Sequence, residues 1–205
     1  MKAPGTLCGV LLPMLAACVG SAPERIYALN GTAESGARIV ASHADAELQL
    51  ARVLVPDYLD TTQIMVRAGP HELHSSRTGR WAERLSLGIT HGLLIDLARE
   101  LTPDAVTLSQ PGESSAPLLE VEVESLDVLA DGHCVLLASW TLSSADRRKV
   151  LTDGHSDLTT TAIPVKHFDD VAVVNGMAEA IARLARDIAF AVRALPTQAP
   201  ARRAT

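Results

Sequence analysis

The residue with the most distinctive chemistry is Cys18, which closes the run Leu15-Ala16-Ala17-Cys18. A thiol behind two small residues and a leucine matches the bacterial lipobox, Leu-(Ala/Ser)-(Gly/Ala)-Cys. The small residues let the chain enter a signal peptidase in extended form. The thiol takes a diacylglyceryl group, cleavage makes Cys18 the first residue, and its amine is acylated in turn. Other chemistry-bearing groups lead nowhere comparable. His71 and His74 lie three apart, so on a strand they face opposite ways and do not converge on a metal. His133 and Cys134 are adjacent and diverge likewise, which makes Cys134 a buried, inert thiol. Asp57 and Asp60 follow Pro56 and are expected to shape a turn. Glu120, Glu122 and Glu124 alternate and read as the wet face of a strand. No G-x-S-x-G, Walker A, G-x-G-x-x-G or H-E-x-x-H motif is present, so no enzyme, cofactor or metal is expected.

The segment ahead of Cys18 must deliver it. Lys2 supplies a positive flank and Leu7 to Ala17 an apolar run. That run is shorter than the ~20 residues a membrane helix needs and fits a secretory leader. Residues 1–17 are therefore read as a signal peptide and 18–25 as a lipidated tether. With Cys8 removed and Cys18 acylated, Cys134 is left alone among the three cysteines, so the domain must fold without a disulfide. Val19, in the place where an Asp would favour inner-membrane retention, points to the outer membrane.

Residues 26–196 are read as one domain and 197–205 as a disordered tail. The composition is 47% apolar and 20% charged, which suits a packed core. Only 3% is aromatic, so aliphatic residues must fill that core. A net charge of −6 argues against nucleic-acid binding. Strands are expected at Tyr27–Leu29, Leu48–Val55, Thr62–Arg67 and Glu72–Arg77, the last two forming a hairpin about Gly69-Pro70. Leucines at 85, 93, 97 and 101 with Ile89 mark one face of a helix over Trp81–Leu101, which Pro103 stops. Ala105–Leu108 is a short strand. A meander follows over Leu119–Leu129, His133–Leu142 and Lys149–Thr161, with Asp153-Gly154 as a bulge or turn. Met177, Ile181, Leu184, Ile188, Val192 and Leu195 mark a final helix over Asp169–Leu195. The order predicts an α/β or α+β fold, a mixed sheet packed by two main helices.

Two stretches carry a family likeness, "VPDYLDTTQIMVR" and "ELHSSRTGRWAERLSLGITHGLLIDLA". With the lipobox and the following "YAL", they resemble the ABC-type transport auxiliary lipoprotein family. Pro56, Tyr58, Leu59, Asp60, Gln63, Ile64 and Arg67 match its pattern, as do Arg80, Trp81, Ala82, Glu83 and Leu85; Thr62 departs from it where the family often has Pro. The resemblance implies a non-enzymatic lipoprotein facing the periplasm, held to the outer membrane by its acyl chains. It also implies a homo-oligomeric ring that receives an MCE-domain tunnel protein working with ABC permease components in lipid transport. Tyr58, Leu59, Gln63 and Trp81 are the candidate partner contacts; alternatively Tyr58 and Trp81 pack on each other and pin the hairpin to the helix. The competing reading is a lipid- or ligand-binding lipoprotein that acts alone, which requires an apolar cavity.

Overall fold

The computed structural model describes residues 23–29, 48–102, 106–110, 116–129, 132–160 and 169–195. The expected leader, Cys18 and the expected tail 197–205 lie outside the described residues.

The alternation after Leu118 is decisive for the fold. In β6 (Leu118–Val128), Leu119, Val121 and Val123 are buried while Glu120, Glu122 and Glu124 are exposed, as a strand wet on one face requires. It pairs antiparallel with β7 (Cys134–Ser143), which pairs antiparallel with β8 (Val150–Thr159). On the other side β6 meets β2 (Leu48–Leu50) in parallel, and β2 meets β5 (Val106–Leu108) in parallel. The result is a mixed five-stranded sheet of order β5-β2-β6-β7-β8.

The expected hairpin forms from β3 (Gln63–Gly69) and β4 (Glu72–Trp81) and makes a second, three-stranded sheet with β1 (Arg25–Tyr27), which pairs parallel to β4. Strand β4 runs further than its polar sequence suggested. Trp81 still donates its backbone N–H to Thr62 O at 2.8 Å, and Ala82 to Tyr27 O at 2.7 Å. Helix α1 (Leu85–Glu100) therefore starts at Leu85 and not at Trp81. The expected strand over Leu48–Val55 is regular only to Leu50: Val53 N–H turns to the Thr90 hydroxyl of α1 at 3.0 Å, and pairing with β6 resumes at Leu54, whose N–H donates to Val121 O at 3.0 Å.

Helix α2 (Asp170–Arg193) begins with Asp169 as N-cap, its carboxylate accepting from Val171 N–H at 3.1 Å, the usual way to satisfy a first-turn donor. Its stripe of Met177, Ile181, Leu184 and Ile188 is buried against the inner face of β6, β7 and β8. Each such side chain contributes about 1.5–3 kcal/mol. The two helices run parallel. Gly92 of α1 lies against Ile181, where an added Cβ would come 3.8 Å from Ile181 Cγ2, and Glu100 meets Arg193 at 3.7 Å. Their C-terminal ends thus share one end of the molecule.

Asp153-Gly154 is neither a bulge nor a turn. Gly154 lies mid-strand opposite Trp140, and a Cβ there would stand 2.8 Å from the indole Cε2 and closer still to Cζ2. The glycine makes room for the ring.

Candidate functional site

Residues 56–67 and 80–91 converge where the hairpin meets α1. Pro56 sets the turn: its carbonyl accepts from Leu59 N–H at 2.9 Å and Asp60 N–H at 3.2 Å. The turn is closed by backbone, which leaves the Asp60 side chain free for another task. Helix α1 has no side-chain cap of its own, its N-cap being Arg84. Asp60 supplies the missing acceptor from far up the chain, taking Ser86 N–H on Oδ1 at 3.2 Å. A carboxylate there satisfies a free donor and suits the positive end of the helix. Its Oδ2 pairs with Arg84 at 3.0 Å, and Arg52 stands 3.8 Å off while donating to the Ser86 hydroxyl at 2.7 Å. Burial raises the Asp60 pKa, but the bonds from Ser86 and Arg84 outweigh it and hold the carboxyl below its ordinary value, since they favour the charged form.

A second cluster ties the two sheets together. Arg67 of β3 reaches Asp127 of β6 at 3.0 Å, and Arg67 also donates to Pro70 O at 3.2 Å. Tyr58 lies beside this pair. Partial burial and the Asp127 charge push its phenol up, against the pull of Arg67. Further along, Arg80 pairs with Glu24 at 3.0 Å and Glu83 with His91 at 3.1 Å.

Of the candidate contacts, Leu59 and Trp81 are each 2% exposed and belong to the core of this chain, whereas Tyr58 and Gln63 reach the surface. Trp81 stands across from Tyr27 at the end of β1. Arg67 and Asp127 are working residues that sequence reasoning left without a role, and Asp60 is one that it placed only in the turn after Pro56. Asp60 and Arg67 stood in the quoted motif, but their partners, Ser86 and Asp127, lie on elements that come much later in the chain.

Cys134 and His74 do not join this site. Cys134 is buried, and burial, followed by the Asp127 and Glu179 charges, pushes its thiol up to about 12, so it holds no reactive thiolate. His74 is exposed and bonds to Glu72 at 2.7 Å. Among the described residues no three His, Cys, Asp or Glu side chains are grouped to hold a metal ion. No described helix is long and apolar enough to cross a membrane.

Set beside known proteins, residues 27–189 match the family described as the ABC-type transport auxiliary lipoprotein component. The intermembrane transport lipoprotein PqiC of Escherichia coli is 26% identical over 129 residues, which is 63% of this chain and 68% of its own. The Shigella flexneri protein of the same name matches equally. Among solved structures, an uncharacterized protein has a TM-score of 0.64 at 20% identity, with 82% of this chain and 98% of its own covered. Protein XCC0632 of Xanthomonas campestris gives 0.55 at 17% identity, over 70% and 81%. Both structures share the fold.

Proposed function

Because the chain belongs to the ABC-type transport auxiliary lipoprotein family, we propose that it is the outer-membrane lipoprotein of an MCE-type lipid transport system. It is non-enzymatic, is tethered through acylated Cys18, faces the periplasm, and receives the tunnel protein as a ring of identical copies. The observation that carries this reading is the family match over residues 27–189 behind the complete Leu15–Cys18 motif. The structure is in keeping with a docking role. Its motif residues are spent on joining hairpin, helix and sheet, and Tyr58 and Gln63 are left on the surface for a partner.

Crosslinking in intact cells, followed by detergent extraction, is expected to recover an MCE protein with this chain; recovery of this chain alone sinks the proposal. The Cys18→Ala variant should lose its acyl groups and move from the membrane to the soluble periplasmic fraction. Unchanged membrane fractionation would refute the tether.

A further inference from the structure

Strand β4 does not run evenly. Between the pairs Gln63↔Arg80 and Met65↔Ser75, β3 contributes only Ile64 while β4 contributes Ser76 to Gly79. The Ser76 hydroxyl holds this excursion by accepting from the N–H groups of Thr78 and Gly79, both at 3.1 Å, a local side-chain-to-backbone bond that competes with the ladder. Such a bulge bends its strand. A groove of about 350 Å³ lies here between the hairpin and the first turn of α2. That volume falls in the ~300–1,000 Å³ range of small-molecule sites.

The lining is chemically uneven. Val66 and Ala68 of β3 and Val173 of α2 form an apolar wall. Asp170 is 7% exposed, and its Oδ2 accepts from the Thr78 hydroxyl at 2.6 Å. No lysine or arginine pairs with it among the described residues, although a buried carboxylate ordinarily demands a counter-charge. Gly79 keeps the place open for it, since a Cβ there would stand 2.6 Å from Asp170 Oδ2. Arg77 is exposed at the rim and likewise has no ion pair among the described residues.

A deep carboxylate, a cation at the rim and an apolar wall complement a molecule that carries an ammonium, a phosphate and a hydrocarbon chain. We infer that the groove binds an aminophospholipid, with the ammonium on Asp170, the phosphate on Arg77 and the first part of an acyl chain over Val66, Ala68 and Val173. The inference rests on the lipid-transport reading and gives that system's lipoprotein a lipid contact of its own. A simple anion would meet like charge at Asp170, and a bare alkyl chain would leave the carboxylate with the Thr78 hydroxyl and the start of α2 but no counter-ion.

Native mass spectrometry of the full chain in a non-ionic detergent tests this with lysophosphatidylethanolamine, lysophosphatidylglycerol, lysophosphatidylcholine and O-phosphoethanolamine as probes. One lysophosphatidylethanolamine should bind, about tenfold more tightly than the glycerol or choline lipid, as one charge-assisted contact warrants. Arg77→Ala should weaken it by about the same factor, and Ala68→Trp should block it by filling the groove. Asp170→Asn should abolish the preference over the choline lipid; if that variant does not fold, the two surface variants decide. Equal binding of all three lysolipids, or binding unchanged in Arg77→Ala and Ala68→Trp, overturns the inference. O-phosphoethanolamine binding as tightly as the lysolipid overturns the assignment to a lipid. None of these results bears on recovery of the tunnel protein, so a failure of the groove and a failure of the transport reading are told apart.

Discussion

Asp60 shows how one residue can be read correctly in kind and missed in reach. An aspartate after Pro56 was expected to bond backbone N–H groups, and it does, but at the start of α1, on Ser86. Local spacing signals local bonds; nothing in a single sequence says which distant helix end will arrive. The same holds for Arg67, whose partner Asp127 stands on a different sheet. Cys134, by contrast, was legible because burial is the largest influence on its state, and its strand pattern already implied burial. The Asp60 cluster has a pH signature. Its folded pKa is lowered, so the contribution is fully present above the ordinary ~3.9 and is lost as pH falls through the folded value. Asp60→Asn should lower stability by about 1–2 kcal/mol at neutral pH. In urea titrations the gap between wild type and variant should close below about pH 4; a gap that stays constant with pH would remove the charge from the explanation.

Elements with a strong period were found nearly where expected. Strand β6 and helix α2 each bury one clean stripe, and their bounds moved only slightly. Elements whose pairing is set from elsewhere were not. Trp81 fits the helical spacing that leads to Leu85, yet hydrogen bonds to Thr62 and Tyr27 hold that stretch in the sheet. Polar β4 has no apolar alternation to betray its length, and the bulge at Ser76–Gly79 further obscures its period. Gly154 looked like punctuation because glycine usually is, whereas here it answers the Trp140 ring. Gly154→Ala should therefore cost about 1–3 kcal/mol through overpacking. Trp140 Nε1 is buried without a partner among the described residues, so replacing the ring loses no hydrogen bond to them. In a Trp140→Leu background the same alanine should be nearly neutral, as a thermal-denaturation cycle would register. Additive effects would mean that ring and glycine do not compete for the same space.

At the scale of the whole molecule, the predicted mixed sheet with two helices is present, and the hairpin adds a sheet of its own. Composition and element order carry the layer type, but whether a hairpin joins a sheet or stands beside it depends on long-range contacts such as Arg67–Asp127 and Thr78–Asp170. Both partners of the first pair are largely buried, with side chains 23% and 14% exposed. A double-mutant cycle of Arg67→Ala and Asp127→Ala should give a coupling of about 1–3 kcal/mol. Hydrogen exchange in the singly mutated chains should speed up in β3 and β4 before it does in β7. Uniform acceleration would show that the sheets open as one unit. The parallel pairing of β1 with β4 has a mechanical consequence. Any tension arriving through the chain ahead of Arg25 acts along β1, so it strains the bonds at Gly79, Arg80 and Trp81 in shear, all together, instead of peeling them apart one by one. The Arg80–Glu24 pair and the Tyr27 ring wedged over Gly79 take up the same pull. A strand this short can thus serve as a strong point of attachment for the N-terminal tether proposed above.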